Sequence, residues 1–129
     1  MSQVVGRNIV CVVDDDPAIL KAVKRLLSAH ELYAELFTSA EDFNDRADLG
    51  RAFCLVLDIH MGGMSGIELW RDLADRGISL PTIFISADDS DVTRKATTDI
   101  GCIAHLRKPF SAKSLIDAIG KAAELSPAQ

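Results

Sequence analysis

A chain of 129 residues with 48% hydrophobic and 26% charged side chains has the size and balance of one soluble globular domain, too short for a catalytic domain plus a second full module. A formal net charge of −5, with no Lys/Arg cluster to offset it, argues against direct nucleic-acid binding by this chain. The longest apolar runs are strand-sized, far short of the roughly 20 residues of a membrane span, and the opening MSQVVGRN has no apolar signal core, so the expected location is the cytoplasm.

The first apolar run, 9–13, is rich in β-branched residues and reads as a strand. It delivers three consecutive aspartates, Asp14, Asp15 and Asp16. Asp16 suits a helix N-cap and Pro17 the first helical position, after which Ile19, Leu20, Val23, Leu26 and Leu27 form one apolar face. A second strand is expected over 32–37. The helix after it opens with Ser39-Ala40-Glu41-Asp42, a capping box with a shorter acid in place of Glu, anchored by Phe43 and Leu49.

The third strand, 53–57 in FCLVLD, places Asp58 at its end. A third helix from about Gly66 carries Ile67, Trp70, Leu73 and Ala74 on one side, and Gly77 suits its end. The fourth strand, 82–85, is followed by Ser86. The fourth helix, 90–99, is polar, with Val92, Ala96 and Ile100 as its few apolar positions, which predicts weak docking. A fifth strand over 102–106 leads into Arg107-Lys108-Pro109-Phe110, and a last helix from Ser111 is amphipathic through Leu115, Ile116, Ile119, Ala123 and Leu125. The closing SPAQ reads as a natural end or the start of a linker.

Cys11, Cys54 and Cys102 lie in or beside apolar segments without a CxxC or Cys/His spacing, the pattern of buried reduced thiols. Strands apolar on both faces that alternate with helices imply a parallel sheet covered on both sides. Five βα units of this size predict a doubly wound, flavodoxin-like (βα)5 sheet of order 2-1-3-4-5. Ligands in such a sheet bind beyond the carboxyl ends of the strands, at the switch point between strands 1 and 3.

The unusual residues fall at that edge. Strands 1 and 3 deliver Asp14, Asp15, Asp16 and Asp58 side by side, and two unit charges about 5 Å apart repel by roughly 3 kcal/mol at an effective dielectric of about 20. An all-oxygen donor set suits a small hard dication that keeps its waters, hence Mg²⁺ more readily than Zn²⁺. A carboxylate beside such charge can attack a phosphoryl group while an ammonium and a hydroxyl hold its oxygens. In that chemistry Asp58 would attack, and Lys108 and Ser86 would hold.

VVDDD, LDIHMGGMSG, the strand ending in Ser86-Ala87 and the closing KPF, in this order and spacing, resemble the receiver domain of two-component response regulators across essentially the whole chain. Any one motif is weak; four in register with five βα units are specific. The resemblance implies one receiver domain over 1–129 with no output domain within the chain. It implies that Asp58 accepts a phosphoryl group from a sensor histidine kinase, and that Asp14, Asp15 and Asp58, with the backbone carbonyl of His60, hold Mg²⁺. Lys108 and Ser86 would bond the phosphoryl group, with a cis peptide before Pro109. The family couples an inward turn of the Ser86 position to a side chain on the fifth strand, here His105, and to the face of helix 4, strand 5 and helix 5. That face would then engage an effector protein or a second copy in a phosphorylation-dependent homodimer. Such a domain catalyses its own phosphorylation and dephosphorylation and is not a turnover enzyme.

Three positions depart from the usual pattern or modulate it. His105 replaces the usual Tyr or Phe; it reads as an ordinary half-exposed strand histidine, or as an imidazole whose titration near neutrality makes signalling pH-sensitive. Gly62 stands where proline is usual, and with Gly63 it loosens the loop after the acceptor. Asp88 is either a solvated loop acid or a residue that tunes dephosphorylation. The His60 side chain is expected to point to solvent, Asp16 to cap rather than ligate, His30 to lie on the surface and Trp70 to pack.

An aspartyl-phosphate phosphatase is the enzyme alternative, because Asp14-Asp15-Asp16 contains a DxD. That reading needs a Thr or Val where Ala18 sits and leaves Asp58 and Lys108 unexplained. A flavodoxin-type carrier would need a Ser/Thr/Gly-rich phosphate loop after the first strand, where this chain has acid. SAEDF and the run from KPF to SLIDAI resemble receivers that precede helix-turn-helix transcription regulators.

Overall fold

The computed structural model describes residues 8–88 and 90–125. The first seven residues of the opening peptide and the closing SPAQ lie outside them. Ten elements alternate: β1 (Ile9–Val13), α1 (Pro17–Ala29), β2 (Tyr33–Phe37), α2 (Ala40–Arg46), β3 (Ala52–Asp58), α3 (Gly66–Asp75), β4 (Thr82–Ser86), α4 (Asp91–Ile100), β5 (Ala104–Arg107) and α5 (Ala112–Leu125). The strands form one parallel sheet of order β2-β1-β3-β4-β5, as the alternation of apolar runs predicts.

Period-two alternation within each strand splits the core into two layers. Val10, Val12, Cys54, Val56, Ile83 and Ile85 face α1 and α5, where they meet Leu20, Val23, Leu27, Leu115 and Ile119. Cys11, Val13, Leu55, Leu57 and Phe84 face the other way, against Phe43, Leu69 and Leu73. Each full burial of such a side chain is worth about 1.5–3 kcal/mol. Cys11 and Cys54 sit inside these layers as free thiols, and Cys102 is half-buried. Burial first, then the charges of Glu35 and Asp48, pushes the Cys11 thiol up to about 12, and burial first, then the neighbouring Cys11, does the same for Cys54. No helix of the described residues is long and apolar enough to cross a membrane.

The helix starts follow their caps, while several buried faces differ from those expected. Asp16 caps α1, its Oδ1 accepting from the Ala18 N–H at 2.9 Å, with Pro17 in the first turn. In α2, Ser39 caps Asp42, but the shorter Asp42 carboxylate accepts from Thr38 rather than from the cap residue itself. That helix ends at Arg46, so Leu49 packs from the loop beyond it. A full capping box between Ser65 and Glu68 starts α3, whose buried residues are Gly66, Leu69 and Leu73; Ile67 and Trp70 flank them and Ala74 is exposed. In α5 the buried set is Leu115, Ala118, Ile119 and Ala122, leaving Ala123 and Leu125 in solvent. β5 begins at Ala104, two residues after the apolar run that marks it.

Helix α4 differs most. Val92, expected as an anchor, is 80% exposed, and the residues against the protein are Thr93 and Thr97. Ala96 and Ile100 are only partly buried.

Candidate functional site

Because all five strands run parallel, their carboxyl ends share one edge. β1 and β3 pair directly, with Val13 opposite Leu57, so Asp14 and Asp58 emerge as neighbours. Both are buried, at 0% and 2% exposure. One carboxylate oxygen from each of Asp14, Asp15 and Asp58 lies within 4.8 Å of the other two. On the far side, β4 pairs with β5 so that Ser86 opposes Arg107, and the Lys108 N–H donates to the Ser86 carbonyl at 2.8 Å. The cis peptide between Lys108 and Pro109 follows at once. From there the Lys108 ammonium reaches back to Asp14 Oδ2 at 2.9 Å and Asp58 Oδ2 at 3.5 Å.

Backbone donors orient the acids. The Asp16 N–H donates to Asp14 Oδ1 at 2.9 Å, the His60 N–H to Asp58 Oδ1 at 3.4 Å, and the Gly62 N–H to Asp15 Oδ2 at 3.3 Å. The Gly62 contact ties the glycine-rich loop to the acidic cluster through a donor that proline would lack. Asp14 Oδ2 is wholly buried and accepts no aligned hydrogen bond among the described residues, so its charge rests on the Lys108 ammonium 2.9 Å away. One ammonium does not balance three clustered carboxylates, and a further cation would offset the remainder. The donor set, oxygen only, fits a hard divalent cation, so the cluster can hold a metal.

The model of the response regulator receiver domain matches residues 10–120. The chain belongs to that family. Members are signalling modules of two-component systems rather than turnover enzymes. The receiver is 33% identical over 122 residues to the response regulator protein TodT of Pseudomonas putida, covering 95% of this chain and 54% of that protein. It is 37% identical over 123 residues to the response regulator protein TmoT of Ectopseudomonas mendocina, covering 95% and 56%. The chain thus spans about half the length of these curated relatives. A crystal structure of a response regulator receiver protein from Burkholderia phymatum superposes with a TM-score of 0.78 at 35% identity, covering 93% of this chain and 98% of that one.

Electrostatics in the receiver's pocket follow from crowding. Burial and then the Asp14 charge push the Asp58 carboxyl up to about 7, against a smaller opposing pull from Lys108. Burial draws the Lys108 ammonium down, but Asp14 and Asp58 together more than offset this and hold it above its ordinary value.

These shifts make stability depend on pH. An unfolded chain releases the Asp58 proton near 3.8, whereas the folded, metal-free protein keeps it until about 7. Between those values the folded state binds more protons, so stability falls as pH rises, by about 2–4 kcal/mol across the window. Asp58→Asn should flatten that slope and raise the unfolding midpoint in EDTA at pH 7.5. A midpoint at or below that of the unsubstituted protein would contradict the raised value.

The remaining positions resolve differently. The His60 side chain is about half exposed, yet its Nε2 leans to within 3.6 Å of Asp88 Oδ2 across the mouth of the pocket. Asp88 is exposed but is more than a solvated loop acid. Its Oδ1 accepts from the Ser90 N–H at 2.9 Å, a bond that, ahead of its other neighbours, lowers its carboxyl below the usual range. His105 is half-buried, with Nδ1 2.9 Å from Thr97 Oγ1. Asp16 caps its helix, His30 is exposed and Trp70 packs beside the second core layer.

Sequence reasoning missed one residue close to the acceptor. Gly66 marks the start of α3, but its tighter constraint is contact with β3. A Cβ there would lie 3.0 Å from the Asp58 carbonyl carbon, 3.1 Å from Ile59 Cα, and inside the van der Waals shell of the Asp58 carbonyl oxygen. Nothing local announces such an approach beyond a small residue eight positions after an acid.

Proposed function

We propose that this receiver accepts a phosphoryl group on Asp58 from the phosphohistidine of a sensor histidine kinase, with Mg²⁺ held by Asp14, Asp15, Asp58 and the His60 carbonyl. The observation that carries this reading is the position of Asp58, buried between two further carboxylates and the Lys108 ammonium. A bound dication neutralises charge on the phosphoryl oxygens. An Asp58 carboxylate oxygen forms the new O–P bond as the N–P bond to the donor imidazole breaks, giving an acyl phosphate. Lys108, already beside Asp58, steadies the added negative charge. Ser86 now donates its hydroxyl hydrogen to the Asp88 carbonyl and accepts from the Asp88 N–H, both at 2.9 Å. To bond the phosphoryl group, Ser86 turns inward and leaves those partners.

This reading takes 1–129 as one receiver domain acting in the cytoplasm. Its output is a change in the face of α4, β5 and α5, which binds an effector or a second copy. Weak apolar docking of α4 supports that choice of moving part.

Acetyl phosphate supplies the same phosphoryl chemistry without the kinase. Incubation with Mg²⁺ is expected to add the mass of one phosphoryl group, EDTA to prevent the addition, and Asp58→Ala to abolish it. Labelling that survives in Asp58→Ala would place the acceptor elsewhere, and a chain that never labels with Mg²⁺ present would overturn the reading.

A further inference from the structure

The buried side of α4 is made of hydroxyls, one turn apart, and each is tied to a different part of the protein. Thr93 Oγ1 lies 2.9 Å from Ser90 Oγ and 3.4 Å from Asp88 Oδ2. Ser90 in turn bonds Asp88 through its N–H and, at 3.3 Å, its hydroxyl. The Asp88 backbone is bracketed by the Ser86 hydroxyl. Four residues on, Thr97, 1% exposed, reaches across to β5 and meets His105 Nδ1 at 2.9 Å, while also contacting the Arg94 carbonyl at 3.1 Å.

The two attachments do different work when Ser86 turns. Its inward rotation removes both bonds to the Asp88 backbone, and through Asp88 loosens the polar knot at the start of α4. The second attachment, on β5, does not involve Ser86. With Val92 in solvent and Ile100 only partly covered, little apolar contact remains to keep α4 in place.

Building on the function proposed above, we propose that Thr97 and His105 form a latch that holds α4 in its resting position and so opposes phosphoryl uptake at Asp58. Neither residue touches the reacting atoms; both are positioning residues. A bond made in the resting state alone lowers the population competent for uptake, and its removal raises that population by the same factor.

The test uses the full chain with saturating Mg²⁺ and beryllofluoride as the phosphoryl mimic, its binding followed by fluorine NMR, with unfolding midpoints measured alongside. Thr97→Val, which keeps the shape and removes the hydroxyl, should lower the half-saturating beryllofluoride concentration about threefold to tenfold, the effect of one hydrogen bond. Thr97→Ser, which restores the hydroxyl, should stay within about twofold of the unsubstituted protein, less than the weakest effect of one such bond. His105→Leu removes the partner atom without supplying the ring usual at this position and should reproduce the Thr97→Val shift, which decides the matter if the valine variant does not fold. Unchanged or weaker binding in Thr97→Val or His105→Leu overturns the latch, as does an equal shift in the serine variant, which would mark a packing effect. If the unsubstituted protein binds no beryllofluoride, the phosphoryl-acceptor reading fails first.

Discussion

Replacing Lys108 with methionine is expected to destabilise the metal-free protein by about 3–5 kcal/mol at pH 8, the usual consequence of removing one partner from a buried ion pair. Methionine approximates the length of the lysine stem and carries no charge, so the loss reports the ammonium rather than a cavity. The carboxylate left behind is the wholly buried Asp14, whose Oδ2 faces Lys108 at 2.9 Å, with Asp58 3.5 Å from the same nitrogen. Since Lys108 is held above its ordinary value, its contribution is fully present at neutral pH and is lost only as pH rises through that raised value. The deficit in the variant should shrink at pH 4, where a protonated Asp58 no longer adds its charge to the pair. Millimolar Mg²⁺ should recover part of it at pH 8. Urea unfolding in EDTA at both pH values checks this, and a loss under about 1 kcal/mol at pH 8 would show a pair with no more weight than an exposed one.

The second large effect is expected at Gly66. Alanine there must displace the Asp58 carbonyl, move α3 off β3, or both, because the atoms in the way are backbone. Overpacking of this kind costs about 1–3 kcal/mol, and more where neighbours cannot yield. The displaced residue is also the proposed acceptor, and small misplacements of a reacting group cost about tenfold to a hundredfold in rate. Gly66→Ala should therefore lower both the unfolding midpoint and the rate of acetyl phosphate labelling. Gly62→Ala is the matched control: no atom lies within 4 Å of its added carbon and its backbone is not left-handed, so both readouts should stay near those of the unsubstituted chain. Equal behaviour of the two variants would show that the close approach at Gly66 does not position Asp58.

Much of the architecture was legible because its causes are local. Three short apolar runs buried along their whole length, now β1, β3 and β4, can be satisfied only inside a covered parallel sheet, and Asp16 and Ser39 mark helix starts by accepting backbone N–H bonds, Pro17 by its fixed φ. The site was legible for a related reason. In a parallel sheet every strand ends at the same edge, so Asp14, Asp58, Ser86 and Lys108, each just after or at the end of an apolar run, had to meet there. Helix rotation was harder to read. In α3 the periodicity suggested Ile67, Trp70, Leu73 and Ala74; Leu73 is buried and Ile67 and Trp70 pack at the edge of the core, but Leu69 takes the centre of the buried face and Ala74 is exposed. In α4 a search for apolar residues selected Val92, whereas the surface it covers is polar and is met by Thr93 and Thr97.

The sequence by itself determined the order of the elements, the chemistry of the acids and the edge on which they gather, because strand burial, caps and charge are properties of neighbouring residues. Only the tertiary structure decided that Lys108 pairs with Asp14 as well as Asp58, that Gly66 abuts the acceptor's carbonyl, and that Thr97 meets His105. Those contacts depend on how each helix is rotated and seated on the sheet, and that is set by the shape and polarity of a surface built from distant parts of the chain.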